Sequence, residues 1–97
     1  MPGMPRARIE VSRLDGDRFQ VTVDEGGGRT SYVVTVDPAY SARIASTTTR
    51  EDLVRRSFDF LLEREPKEAI LRSFDLPVIG LYFPEYETEI TRRVREG

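Results

Sequence analysis

The first half of the chain alternates apolar and polar residues in three short runs separated by glycine-bearing turns, and nothing else in the sequence limits the fold as tightly. In residues 8–14, Ile9 and Val11 fall on one side, with Glu10 and Ser12 on the other. In residues 18–24, Phe19, Val21 and Val23 oppose Gln20, Thr22 and Asp24. In residues 30–37, Tyr32, Val34 and Val36 share a side, opposite Thr35 and Asp37. Period two in β-branched and aromatic residues is the signature of half-buried strands. A slip of one residue would turn every apolar side chain to the wrong face, so parity constrains the pairing. Ile9 opposite Val23, Val11 opposite Val21 and Arg13 opposite Phe19 keeps the apolar faces together. This requires an odd loop, Asp15-Gly16-Asp17, whereas a two-residue Asp-Gly turn would set Val11 against Gln20. For the second hairpin, Val23 opposite Tyr32, Val21 opposite Val34 and Phe19 opposite Val36 leaves Gly26-Gly27-Gly28-Arg29 as an even loop. The expectation is a three-stranded antiparallel meander with one apolar face, which needs a cover. Val33 is apolar on the polar face. It is either singly exposed or covered by a tail or partner.

The second half supplies that cover in helical pieces punctuated by proline. Asp37-Pro38 caps and opens a helix over residues 38–45, with Tyr40 and Ile44 four apart. Thr48-x-x-Glu51 and Thr49-x-x-Asp52 both have capping-box spacing, which starts a helix over residues 50–64. Its inward stripe is Val54, Phe58, Leu61 and Leu62, with Leu53 beside it. Pro66 stops that helix and opens a short one over residues 66–74, carrying Ile70, Leu71 and Phe74. Asp75 reads as the cap and Pro77 as the first turn of a further helix over residues 76–83. In residues 84–95, Tyr86, Ile90 and Val94 fall at i, i+4 and i+8, with acids early and arginines late, as a helix dipole favours. Tyr86, Thr88 and Ile90 also alternate with glutamates as a strand would; the helix is preferred. The fold class is therefore α+β, one domain over residues 1–97, with residues 1–6 as a loose arm.

Composition removes several kinds of chemistry. The chain has no cysteine and no histidine, so it lacks a thiolate nucleophile and the side chains most used for transition metals and neutral-pH proton transfer. Ser57 and Ser73 have no histidine to activate them and suit local hydrogen bonding. Seventeen acids guarantee close carboxylate pairs without marking any as catalytic. Asp15-Gly16-Asp17 lacks the further oxygen ligands of a calcium loop. Gly26-Gly27-Gly28 joins two strands, whereas a phosphate loop runs from a strand into a helix. The reading is a non-enzyme with no cofactor and no metal. The net charge of −2 gives no global field toward nucleic acid or anionic membrane. No apolar run approaches the ~20 residues of a membrane helix, and the expected location is cytoplasmic.

The aromatics and arginines of the last third carry the interaction signal. Phe74, Tyr82, Phe83 and Tyr86 cluster in a short stretch, either as cover for the sheet or as an exposed interface. The candidate interaction surface is Tyr82, Phe83, Tyr86, Arg92 and Arg93. Its expected partner is a protein, another chain or a second copy. The alternative is an antitoxin-like nucleic-acid contact through Arg92, Arg93 and Arg95, opposed by the glutamates around them. The tetrapeptide Arg-Ser-Phe-Asp occurs at residues 56–59 and again at 72–75. Unlike flanks speak against duplication. The first Phe is expected in mid-helix; the second is expected to close a helix, with Asp75 capping the next.

The segment from Phe58 to Tyr86, FDFLLEREPKEAILRSFDLPVIGLYFPEY, resembles the C-terminal part of short, uncharacterised prokaryotic proteins of about 100 residues. The resemblance implies a prokaryotic origin and carries no mechanism or functional residue. The order strand–strand–strand–helix is also similar to that of small antitoxin domains, a likeness of element order alone.

Overall fold

A computed structural model describes residues 7–97, so the expected arm at residues 1–6 lies outside the described residues. Strands β1 (Arg8–Asp15), β2 (Arg18–Glu25) and β3 (Gly28–Thr35) form the antiparallel meander. A fourth strand, β4 (Ser73–Asp75), joins the sheet parallel to β3, giving the order β1-β2-β3-β4. Helices α1 (Pro38–Ala45), α2 (Arg50–Leu62), α3 (Val78–Tyr82) and α4 (Tyr86–Glu96) complete the α+β fold.

The first hairpin has the register that parity required: Ile9 faces Val23, Val11 faces Val21 and Arg13 faces Phe19. The odd residue sits elsewhere than expected. Asp15 pairs with Arg18 across a two-residue Gly16-Asp17 turn, and the ladder shifts between Arg13 and Asp15. A bulge at Leu14 absorbs the extra residue that a three-residue loop would have held. The second hairpin corrects the expected register by two. Val23 faces Thr30, Val21 faces Tyr32 and Phe19 faces Val34. Glu25 pairs with Gly28, leaving only Gly26-Gly27 at the tip, with φ of +62° and +84°. A tight hairpin turn whose central residues both have positive φ suits a Gly-Gly pair. A slip of two keeps the faces unchanged, so alternation alone could not separate the two registers.

Val21, Val23, Val34 and Val36 are fully buried on the inner face, with Phe19 and Tyr32 almost so. The helices cover that face. Thr49 caps α2, its Oγ1 accepting the Asp52 backbone N–H at 3.0 Å, so the shifted capping pair is the one used. Helix α2 ends two residues before the expected Arg64, at Leu62. Its buried surface is wider than the expected stripe. Phe60 and Ser57 are also fully buried, because α2 packs on α4 as well as on the sheet. The expected helix over residues 84–95 forms as α4, beginning at Tyr86 after a turn at Pro84 and Glu85, with Tyr86, Ile90 and Val94 as its buried positions.

Residues 66–74 are not the expected helix. A single 3-10 turn (Lys67–Ala69) leads into extended chain and β4. Arg72 C=O accepts the Val33 N–H at 2.8 Å, and Leu76 N–H donates to Thr35 C=O at 2.9 Å. A short helix behind Pro66 has little stability of its own, whereas the outer edge of β3 offers unpaired backbone groups. The Tyr32 hydroxyl donates to Lys67 C=O at 2.6 Å and fastens the 3-10 turn to the sheet. Asp75 therefore lies in β4 and caps nothing; Pro77 holds the N-cap position of α3.

Candidate interaction groove

Leaving the sheet at β4, the chain turns through Leu76 into α3, and a groove opens between these elements and the C-terminal end of α2. Leu61, Ile70, Leu71, Phe74, Val78, Ile79, Tyr82 and Phe83 supply its apolar lining, with Ala69 and Glu65 at its margin. It has a volume of about 410 Å³. The floor is core: Leu61, Ile70 and Ile79 are buried. The lip is not. Leu71 is 49% exposed and Tyr82 66%; Leu81, the residue before Tyr82 in α3, is 80% exposed but is not part of the lining. Large apolar side chains so open beside an apolar hollow are what a partner's side chains can cover.

The five expected interaction residues do not form one surface. Tyr82 and Phe83 line the groove. Phe83 is half-buried, its ring edge-on to Phe60 at a centroid distance of 6.0 Å. Tyr86 is fully buried and cannot belong to a surface. Its ring stands edge-on to Phe60 at 5.3 Å, and its hydroxyl lies 2.7 Å from Ser57 Oγ. Ser57 Oγ donates to Leu53 C=O at 2.8 Å, so the Tyr86 hydroxyl donates to Ser57. Burial drives the Tyr86 phenol well above its ordinary range. Tyr86 thus ties α4 to α2 from inside and does not belong to the interaction surface on which the sequence placed it.

Arg92 and Arg93 sit on α4, away from the groove, each committed to carboxylates. Arg92 pairs with Glu89 and Glu96. Arg93 donates to Glu63 at 2.6 Å and to Glu89 at 2.9 Å. Hydrogen bonds from Arg92 and Arg93 hold the Glu89 carboxyl down at about 2. Asp52 is tied similarly. Burial alone would raise its carboxyl, but bonds from Arg56, Thr48 and Arg55 outweigh that and hold it at about 2. Acids held so firmly as carboxylates do not serve as proton donors near neutral pH. Among the described residues, no group of three or more acids is placed to hold a metal ion, and no helix is long and apolar enough to cross a membrane.

The sequence reading missed Leu71 and Leu81. Leu71 follows Ile70 directly; in the extended chain leading to β4 neighbours point opposite ways, so one of the two had to face out. Leu81 adjoins Tyr82 within a five-residue helix too short to bury both. No protein-family model, curated protein or solved structure matches this chain.

Proposed function

We propose that this chain is a small non-catalytic protein-interaction module whose groove receives apolar side chains from a partner protein. The observation that supports it is the exposure of Leu71 and Tyr82 at the lip of a hollow floored by Leu61, Ile70 and Ile79. An apolar lining with a tyrosine at its lip is the composition of interface hot spots. The lining falls within residues 58–86, the same stretch that resembles short prokaryotic proteins. A nucleic-acid role through the C-terminal arginines has less support. Arg92 and Arg93 are already neutralised by Glu63, Glu89 and Glu96, whose charges would repel phosphates.

Panning the protein against a displayed random-peptide library tests the reading. Peptides rich in aromatic and branched aliphatic residues should be enriched, and Tyr82→Glu should weaken their binding at least about tenfold, the loss of ~1.4 kcal/mol. Tyr82 is exposed, so circular dichroism should be unchanged by the substitution. The proposal fails if no peptide is enriched, or if enriched peptides bind the variant equally well.

A further inference from the structure

The sheet has two edges, and they differ in what they can accept. The β4 edge is three residues long and is followed closely by Pro77, too little for an added strand. The β1 edge is eight residues long, and among the described residues no element pairs with its outer side. Its protection is confined to one end, where Leu14 bulges and Arg13 shares the inner face. From Arg8 to Val11 there is neither proline nor bulge.

The ladder dictates which backbone groups are free there. Glu25 and Gly28 close the tight second hairpin and exchange hydrogen bonds, and such pairs alternate along an antiparallel ladder. Odd-numbered residues of β2 therefore bond to β3, and even-numbered ones bond to β1. In β1, Arg8, Glu10 and Ser12 thus face β2, and the N–H and C=O of Ile9 and Val11 point out of the sheet. Side chains at this edge are equally incomplete. Ile9 and Val11 are half-buried, although their cross-strand neighbours Val23 and Val21 are fully covered.

We propose that the β1 edge pairs with β1 of a second copy of this chain, antiparallel and centred on Ile9, giving one continuous sheet through the dimer. Charge selects the register. Opposed residues must share a face, so the strand can centre only on a residue, and each choice fixes the outer-face pairs. Centring on Glu10 sets Glu10 against itself, and centring on Arg8 sets Arg8 against itself. Centring on Ile9 sets Arg8 of each copy opposite Glu10 of the other. Those contacts fall at the non-hydrogen-bonded position, where side chains are closest. Arg8 and Glu10 are exposed and already 3.2 Å apart within one chain, so the dimer would carry four charges of alternating sign. On the inner face Ile9 meets Ile9, and Ala7 meets Val11, closing the flank that one copy leaves open. This surface is separate from the groove and does not rest on the reading given to it. Pairing along part of one strand buries less than a standard interface of ~1,600 Å², so the dimer should be concentration-dependent, with a Kd on the order of micromolar.

Sedimentation velocity across a concentration series tests this. The unaltered chain should move from monomer to dimer. Arg8→Glu and Glu10→Arg should each be monomeric, because each places like charges opposite one another. Mixed together, the two variants should form a heterodimer, since every facing pair is then opposite in sign. Circular dichroism confirms that the exposed substitutions leave the fold intact. A chain that stays monomeric throughout overturns the proposal. So does a dimer that survives Glu10→Arg, or variants that fail to associate when mixed. If Tyr82→Glu abolishes dimerisation while Glu10→Arg does not, the copies meet at the groove and the β1 proposal is wrong.

Discussion

Arg56–Asp59 and Arg72–Asp75 spell the same tetrapeptide, and one copy is helix while the other runs into a strand. In α2, Arg56 bonds to Asp52 at 2.6 Å, Ser57 and Phe58 are fully buried, and Asp59 faces solvent. At β4, the Arg72 carbonyl holds Val33, Ser73 and Asp75 are exposed, and Phe74 is half-buried. The two phenylalanines meet, their ring centroids 6.2 Å apart. Identical side chains thus approach one site from different backbones. The difference teaches where secondary structure is decided. Thr49 and Asp52 begin a helix before the first copy is reached. The second copy stands behind Pro66 beside an open strand edge, and the unpaired groups of β3 decide its conformation.

The largest test of this contrast removes each ring. Phe58→Ala should destabilise the fold by about 3–5 kcal/mol, as for other buried phenylalanines. Phe74→Ala should cost about 1–2 kcal/mol, since part of its ring already meets water at the groove. Urea unfolding of both variants gives the comparison. Equal losses would mean that Phe74 is as much core as Phe58.

The serines come next. Ser57→Ala removes the acceptor of the buried Tyr86 hydroxyl and should cost about 1–3 kcal/mol, whereas Ser73→Ala should stay within about 0.5 kcal/mol. Adding Tyr86→Phe to Ser57→Ala should recover much of the loss, because no polar atom is then stranded. A double variant no better than the single one would show that the pair's geometry is unimportant.

The smallest effect concerns the charges around the first copy. The Asp52 carboxyl titrates at about 2, below its ordinary 3.8, so the unfolded chain takes up that proton first. The stabilisation is therefore complete above about pH 4 and fades as the pH falls toward 2. Asp52→Asn should lower stability at neutral pH by about 1–2 kcal/mol and flatten the acid limb, leaving the slope that Glu89 contributes. An unchanged acid limb would show that Arg55, Arg56 and Thr48 leave Asp52 unshifted.

These same particulars separate what could be read in the sequence from what could not. The first hairpin was legible because a one-residue slip inverts both faces, and Ile9, Val11, Val21 and Val23 tolerate only one parity. The second was legible only to within two residues. Gly26-Gly27 chose between registers through backbone freedom, a property that alternation does not encode. Helix α4 declared itself by Tyr86, Ile90 and Val94. Strand β4 did not, because Ile70, Leu71 and Phe74 carry helical spacing while the groups that capture them lie on β3, far away in sequence. The groove was half visible. Tyr82 and Phe83 stood out as aromatics, but Leu71 gained meaning only once β4 turned the chain, and Tyr86 was drawn inward, its hydroxyl meeting a serine on another helix.

The parallel seating of β4 also makes the strand pairings of the sheet unequal to close. The three antiparallel strands pair with their neighbours in sequence and can zip together from the tips of their turns. β4 reaches β3 only by closing the long span between Thr35 and Ser73, which contains α1 and α2, so its pairing carries a larger closure entropy than either hairpin. The groove is built on that seam. A molecule that seats there depends on the strand pairing with the longest reach along the chain, so the groove exists only where β3 and β4 are joined.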